Sequence, residues 1–183
     1  MNSRINDPIK FCNHCGYSIS LEIPEGDNRP RHVCKNCGEI QYQNPKIVAG
    51  CIPSWEDKIL ICRRAIEPRY GYWTIPAGFM ENDETIEEGA QRETWEEAEA
   101  KVINLELFQV CHVSRVNQIY MLFRADLVAE DGFGVGAESL EVKLTEAKDI
   151  PWDNLAFKVI HETLKRFLQN KEQGKFEFQI NSI

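Results

Sequence analysis

The chain has 183 residues, 43% hydrophobic and 27% charged, with a formal net charge of -8. That is enough for one well-buried core and a small appendage, and it leaves no surplus basic charge with which to hold a phosphate-bearing ligand. No stretch approaches the roughly 18 apolar residues of a membrane span, and the opening MNSRINDPIKF lacks an apolar signal region, so a cytoplasmic protein with no membrane partner is expected.

Residues 1–44 read as a small loop-rich module. Cys12, Cys15, Cys34 and Cys37 form two Cys-x2-Cys pairs separated by 18 residues, with Gly16 and Gly38 where each knuckle turns. Four thiolates at that spacing make a closed tetrahedral Zn2+ site with no open position, so the zinc is expected to be structural. His14 and His32 are surplus to a complete ligand set. Cys51, Cys62 and Cys111 stand singly in apolar surroundings, which suits a reducing compartment. Five bases in the module (Arg4, Lys10, Arg29, Arg31, Lys35) are balanced by five acids (Asp7, Glu22, Glu25, Asp27, Glu39). A neutral ribbon lacks the electrostatic footprint of a nucleic-acid binder.

From residue 45 to 183, β-branched and apolar runs predict strands over 46–52, 58–64, 102–112 and 118–128, and the alternation of Phe176, Phe178 and Ile180 predicts a last one. A helix over 85–99 opens on Thr85 with Glu88 three residues on, a capping-box pair. A second helix is predicted after Pro151 and Trp152, with Asp153 as N-cap and Ala156, Ile160, Leu164 and Phe167 at helical spacing. Strands on either side of each helix imply an α/β fold with a mixed sheet.

Residues 81–99 hold nine acids (Glu81, Asp83, Glu84, Glu87, Glu88, Glu93, Glu96, Glu97, Glu99) against one base, Arg92, so this short segment carries a charge equal to that of the whole chain. On a helix Glu93, Glu96 and Glu97 fall within an arc of ~100°, while Ala90, Thr94 and Ala98 form an adjacent small-residue face suited to close packing on a sheet. Three carboxylates at the margin of that packing repel one another unless a cation joins them, and Mg2+ binds through carboxylates together with phosphate oxygens.

Gly78, five residues, Glu84, seven residues, then Arg92-Glu93-Thr94-Trp95-Glu96-Glu97 resembles the Nudix box, Gly-x5-Glu-x7-Arg-Glu-U-x-Glu-Glu-x-Gly-U, with U a bulky aliphatic residue. Thr94 stands at the first aliphatic position and Glu99 at the final glycine. Trp73-Thr74-Ile75-Pro76-Ala77-Gly78-Phe79 is similar to the segment that leads into that box. The cysteine module, Tyr42-Gln43-Asn44-Pro45, the 137–141 segment and Leu155-Ala156-Phe157 resemble the zinc-ribbon Nudix enzymes, in particular plant-type FAD pyrophosphatases and more distantly NADH pyrophosphatases. The Ser-Gln-Pro-Trp-Pro-Phe-Pro signature of the latter is replaced here by Val110-Cys111-His112-Val113-Ser114-Arg115-Val116.

The resemblance implies a Nudix α/β/α sandwich preceded by a zinc ribbon. It also implies an Mg2+- or Mn2+-dependent pyrophosphohydrolase that releases AMP from FAD, ADP-ribose or NADH. Glu93, Glu97, the carbonyl of Ala77 and Glu138 are then the magnesium ligands, and Glu93, Glu96, Glu97 and Glu138 the catalytic set. Glu138 is expected on a mobile glycine-rich loop, with Glu141 competing for its role; the helix and the loop are both open as source of the general base. Arg92 is expected to orient Glu93 or pair with Glu84. Tyr42 is a candidate for stacking on a purine and Ala156 for substrate contact, while Arg63 and Arg64 end a strand where phosphate could meet them. Capped RNA and a non-catalytic sensing role are the alternative readings, and a homodimer is open.

Overall fold

The computed structural model describes residues 9–183, and its contacts divide into two compact units at Pro45 and Lys46. In the first, β1 (Ile19–Glu22), β2 (Arg31–Cys34) and β3 (Ile40–Gln41) form an antiparallel sheet in the order β1-β2-β3. The two cysteine knuckles are closed by main-chain bonds from Gly16 N–H to the Cys12 carbonyl (2.9 Å) and from Gly38 N–H to the Cys34 carbonyl (3.0 Å).

The second unit is built on β4 (Lys46–Trp55), β5 (Lys58–Arg64), β6 (Trp73–Thr74), β7 (Ala77–Phe79), β8 (Val102–Val113), β9 (Gln118–Leu127), β10 (Ser139–Glu146) and β11 (Gln179–Ser182). The main path runs β10-β5-β4-β9-β8-β11, with β4–β9 and β11–β8 parallel and the other pairs antiparallel. Alternation along the strands builds one core on each face. Ala49, Cys51, Leu60 and Cys62 meet Ala90 and Ala98 of α1 (Ile86–Ala98). Val48, Ile52, Ile59 and Ile61 meet Val159, Ile160, Leu164 and Phe167 of α2 (Lys158–Glu172). The result is an α/β/α sandwich with a mixed sheet.

Strand β4 is shared in a way that makes room for the site. Val48–Gly50 pair with β7, whereas only Ser54 and Trp55 pair with β5. The segment carrying Ala77 and Gly78 thus lies beside β4, under α1, which packs against both strands.

Three sequence expectations need correction. The second helix begins at Lys158 and Asp153 does not cap it: Trp152–Asn154 form a 3-10 turn and Phe157 is the extended N-cap residue. The cause is tertiary, since Leu155 bridges Trp73 and Ala156 N–H donates to the Trp73 carbonyl (2.8 Å), which holds the chain extended where its periodicity reads as helix. Strand β10 was not foreseen because Glu141, Lys143 and Glu146 hide an edge strand's pattern. Finally, Phe176 packs on Phe108 and Phe167 ahead of the last strand, which spans only Gln179–Ser182.

Candidate active site

Helix α1 starts at a complete capping box, with Glu88 N–H donating to Thr85 Oγ1 (3.2 Å) and Thr85 N–H donating to Glu88 Oε2 (2.7 Å). Gly89, Ala90, Thr94 and Ala98 are buried, as the small-residue face predicts. Thr94 fits an aliphatic position because its hydroxyl donates to the Ala90 carbonyl (2.7 Å), leaving its methyl to pack. This close approach carries two carboxylates down with it: Glu93 and Glu97 are only 9% and 5% exposed, while Glu96 stays exposed at the rim.

Arg92 braces the cluster. Its Nε and Nη2 take both oxygens of Glu84 (2.9 and 2.8 Å), Nη1 donates to Glu93 (2.8 Å) and Glu96 (3.0 Å), and Nη2 also donates to the Phe79 carbonyl (3.0 Å). Both expected partners of Arg92 are therefore engaged at once. The bidentate bond holds the Glu84 carboxyl down at about 2. Gly78 is required by the same packing, because a Cβ at that position would lie 2.2 Å from a carboxylate oxygen of Glu93.

Glu97 accepts a hydrogen bond from Ala77 N–H (3.3 Å), which sets the Ala77 peptide beside it. Burial first, and then the charge of Glu93, push the Glu97 carboxyl up to about 8; burial also raises Glu93 against the pull of Arg92. The charge of Glu138 adds the smallest share to both rises. The structure thus brings Ala77, Glu93 and Glu97 together, with Glu96 adjoining through Arg92; among the described residues Glu138 does not join them in a metal-ligating cluster. Glu141 faces Arg63 instead (3.9 Å).

The glycine-rich loop before Glu138 is docked on the helix. Gly134 N–H donates to the Ala98 carbonyl (2.7 Å), Gly136 N–H to the Glu97 carbonyl (3.3 Å), and Ala65 N–H to the carbonyl of Glu138 itself (2.8 Å). Glu138 leaves its carboxylate exposed on a fixed backbone.

Arg63 is exposed and donates to the Gly71 carbonyl (3.0 Å), whereas Arg64 is buried, 8% exposed, with its guanidinium over the Phe157 ring at 5.2 Å. Sequence reading left the two arginines undivided. The alternation of β5 could not divide them, since Ile59 and Ile61 on the face of Arg63 are as buried as Leu60 and Cys62 on the face of Arg64. Ala156 is buried next to Phe157, its N–H already committed to Trp73. Tyr42 belongs to the first unit, 61% exposed, with Arg31 over its ring at 5.1 Å.

Cys12, Cys15, Cys34 and Cys37 converge so that all four sulfurs lie within 4.8 Å of one another, with Cys12–Cys37 at 3.7 Å and Cys15–Cys34 at 3.5 Å. Ligand bonds of ~2.3 Å in a tetrahedron put sulfurs ~3.8 Å apart, so the donor set fits zinc.

Comparison with known proteins agrees with this geometry. The family described as "Nudix N-terminal" matches residues 10–43 and the NUDIX domain family matches residues 44–167. The NAD-capped RNA hydrolase NudC of Chromobacterium violaceum is 36% identical over 52% of this chain and 34% of its own length. NudC of Edwardsiella ictaluri is 31% identical over 67% of this chain and 46% of its own length, so the chain spans less than half of these curated relatives. A crystal structure of a NUDIX hydrolase from Nitrosomonas europaea is 51% identical, covers 96% of this chain and 99% of its own, and superposes with a TM-score of 0.91. The carboxylate helix, the sandwich beneath it and the four-cysteine ribbon are thus those of the Nudix hydrolase family, to which this chain belongs.

Proposed function

We propose that this protein is a divalent-cation-dependent pyrophosphohydrolase that cleaves the diphosphate of an adenylyl dinucleotide-type substrate, FAD first and ADP-ribose or NADH next, releasing AMP. The observation that carries the reading is the pair of buried carboxylates, Glu93 and Glu97, that α1 holds beside the Ala77 peptide, with Arg92, the base paired to Glu93, also engaged by Glu84. Such a site attracts cations and the phosphates they bring.

Glu93 and Glu97, with the Ala77 carbonyl and Glu138, would hold Mg2+ or Mn2+. The bound cation supplies charge neutralisation and Lewis acidity. Arg92 fixes the rotamer of Glu93, and Ala77 N–H fixes Glu97. Glu96 is held by Arg92 (3.0 Å), whereas the exposed Glu138 takes the proton from the attacking water in this reading. The four-cysteine ribbon holds a structural Zn2+. Preference for FAD rests on the likeness of the ribbon and its junction to FAD pyrophosphatases; Tyr42 and Ala156 are its proposed contacts with substrate.

Product analysis over FAD, NADH, ADP-ribose and NAD-capped RNA with Mg2+ tests the reading. AMP and FMN are expected from FAD, with heavy-oxygen water labelling one phosphate. The names of the NudC relatives favour capped RNA as the second reading. It predicts turnover that falls steeply with salt. Faster hydrolysis of a nucleoside triphosphate than of any dinucleotide would overturn the substrate class.

A further inference from the structure

Arg64 carries a largely buried guanidinium that is held at one edge and one face. Burying such a charge is costly unless a counter-charge and hydrogen bonds are supplied. Yet among the described residues no carboxylate comes within ion-pair distance of it, and its one hydrogen bond is from Nε to the Pro68 carbonyl (3.0 Å). Nη1 and Nη2 have no such partner there. The group is nonetheless fixed, by that bond on one edge and by the Phe157 ring on one face. Its charge reaches both Glu97 and Tyr120. It also stands opposite Ser139 in the sheet, one residue from Glu138. The neighbouring Arg63 lacks all of this, being exposed and turned to Gly71 and Glu141.

We propose that Arg64 is a phosphate-binding residue of the site, offering Nη1 and Nη2 to the oxygens of the substrate diphosphate. This rests on the pyrophosphohydrolase reading. A planar fork suits phosphate oxygens, and because its orientation is set before binding, little rotamer entropy is lost when they arrive. Phe157 provides the platform, which gives the Leu155-Ala156-Phe157 segment a role through Arg64.

The test is calorimetric titration of the full chain with adenosine α,β-methylene diphosphate, whose bridging carbon resists hydrolysis, in the presence of Mg2+. Arg64→Gln is expected to weaken binding by about tenfold or more, Arg64→Lys by less, and Arg63→Gln not at all. In turnover of FAD the Arg64→Lys loss should fall mainly on KM. If Arg64→Gln does not fold, as its thermal midpoint will tell, Arg64→Lys decides. Equal binding by wild type and the folded Arg64 variant, or equal weakening by Arg63→Gln, overturns the proposal and leaves the reaction standing. Arg64-dependent binding without turnover of any diphosphate overturns the reaction and leaves Arg64 as an anion site. Failure of the wild-type protein to bind the probe overturns both.

Discussion

The N–H of Gly136 donates to the main-chain carbonyl of Glu97 at 3.3 Å, so a loop more than thirty residues downstream caps the carboxylate helix at one of its site residues. A helix leaves its last carbonyls without partners. Here Glu99 occupies the position of the box glycine and adopts the left-handed conformation (φ 47°) that glycine adopts without strain, while Gly134 and Gly136 take the carbonyls of Ala98 and Glu97. Two residues after Gly136 comes Glu138. Helix termination and placement of the loop acid are one structural event.

Gly136→Ala is therefore expected to disturb activity more than its size suggests. The added Cβ would lie 1.9 Å from the Glu96 carbonyl oxygen, which forces the loop off the helix and moves Glu138. A fall in kcat/KM of about 100-fold, with weaker apparent Mn2+ affinity by electron paramagnetic resonance, is the outcome that displacement of a ligand by about 1 Å predicts. Gly132→Ala, where the new Cβ meets Ala129 at 3.1 Å from its methyl and 3.4 Å from its carbonyl oxygen, should cost far less.

Glu93→Gln and Glu97→Gln should each remove most turnover, on the order of 100-fold or more at saturating Mg2+, while the circular dichroism spectrum is retained. Each trades a charge for an amide of similar shape. Near-normal rates in both would place the chemistry elsewhere. Glu138→Gln should lower the rate and flatten its pH profile if that carboxylate takes the proton.

Without added divalent cation, stability should fall as pH rises. The buried Glu97 carboxyl, at about 8, keeps its proton in the fold up to a pH at which the unfolded chain, near 4.5, has already lost it. Between those values the native state binds more protons, so unfolding free energy declines from about pH 5 to pH 8, by an amount on the order of a few kcal/mol. Chemical denaturation across that range, with the ribbon metal left in place, measures the slope; Glu97→Gln should lessen it, and saturating Mg2+ should lessen or reverse it. A stability that climbs over this window in wild type would contradict the burial of Glu97.

Freshly purified, reduced protein should contain about one zinc per chain, and Cys34→Ser should lower that content and destabilise the ribbon before it changes the rate constant for chemistry. Metal analysis by mass spectrometry reads the first, and limited proteolysis within residues 10–43 the second.

Much of this was legible in the chain because the informative features are local. A capping box, a helix that places Glu93, Glu96 and Glu97 on one side, and two Cys-x2-Cys knuckles depend on residues a few positions apart, whose geometry the backbone period dictates. The fixed gaps from Gly78 through Glu84 to Arg92 worked for the same reason: Gly78 makes room for Glu93, and Glu84 is the partner that occupies Arg92. Hence the sequence by itself determined the fold class, the one-sided clustering of carboxylates on the acidic helix and the ribbon's four sulfurs.

What only the tertiary structure decided depends on elements distant in sequence. The extended run at Leu155–Phe157 answers to Trp73, not to its own helical period. Strand β10 exists because β5 offers an open edge, and its register shift between Ser139 and Glu141 is what turns Glu141 to Arg63. The glycine-rich loop meets the helix end because two glycine N–H groups find helix carbonyls there. Arg63 and Arg64 are identical in the chain, and pairing within the sheet alone sends one to solvent and the other onto Phe157. Local periodicity sets where a side chain sits on its own element; which partner it meets is set by long-range hydrogen bonding and burial, which no short window of sequence contains.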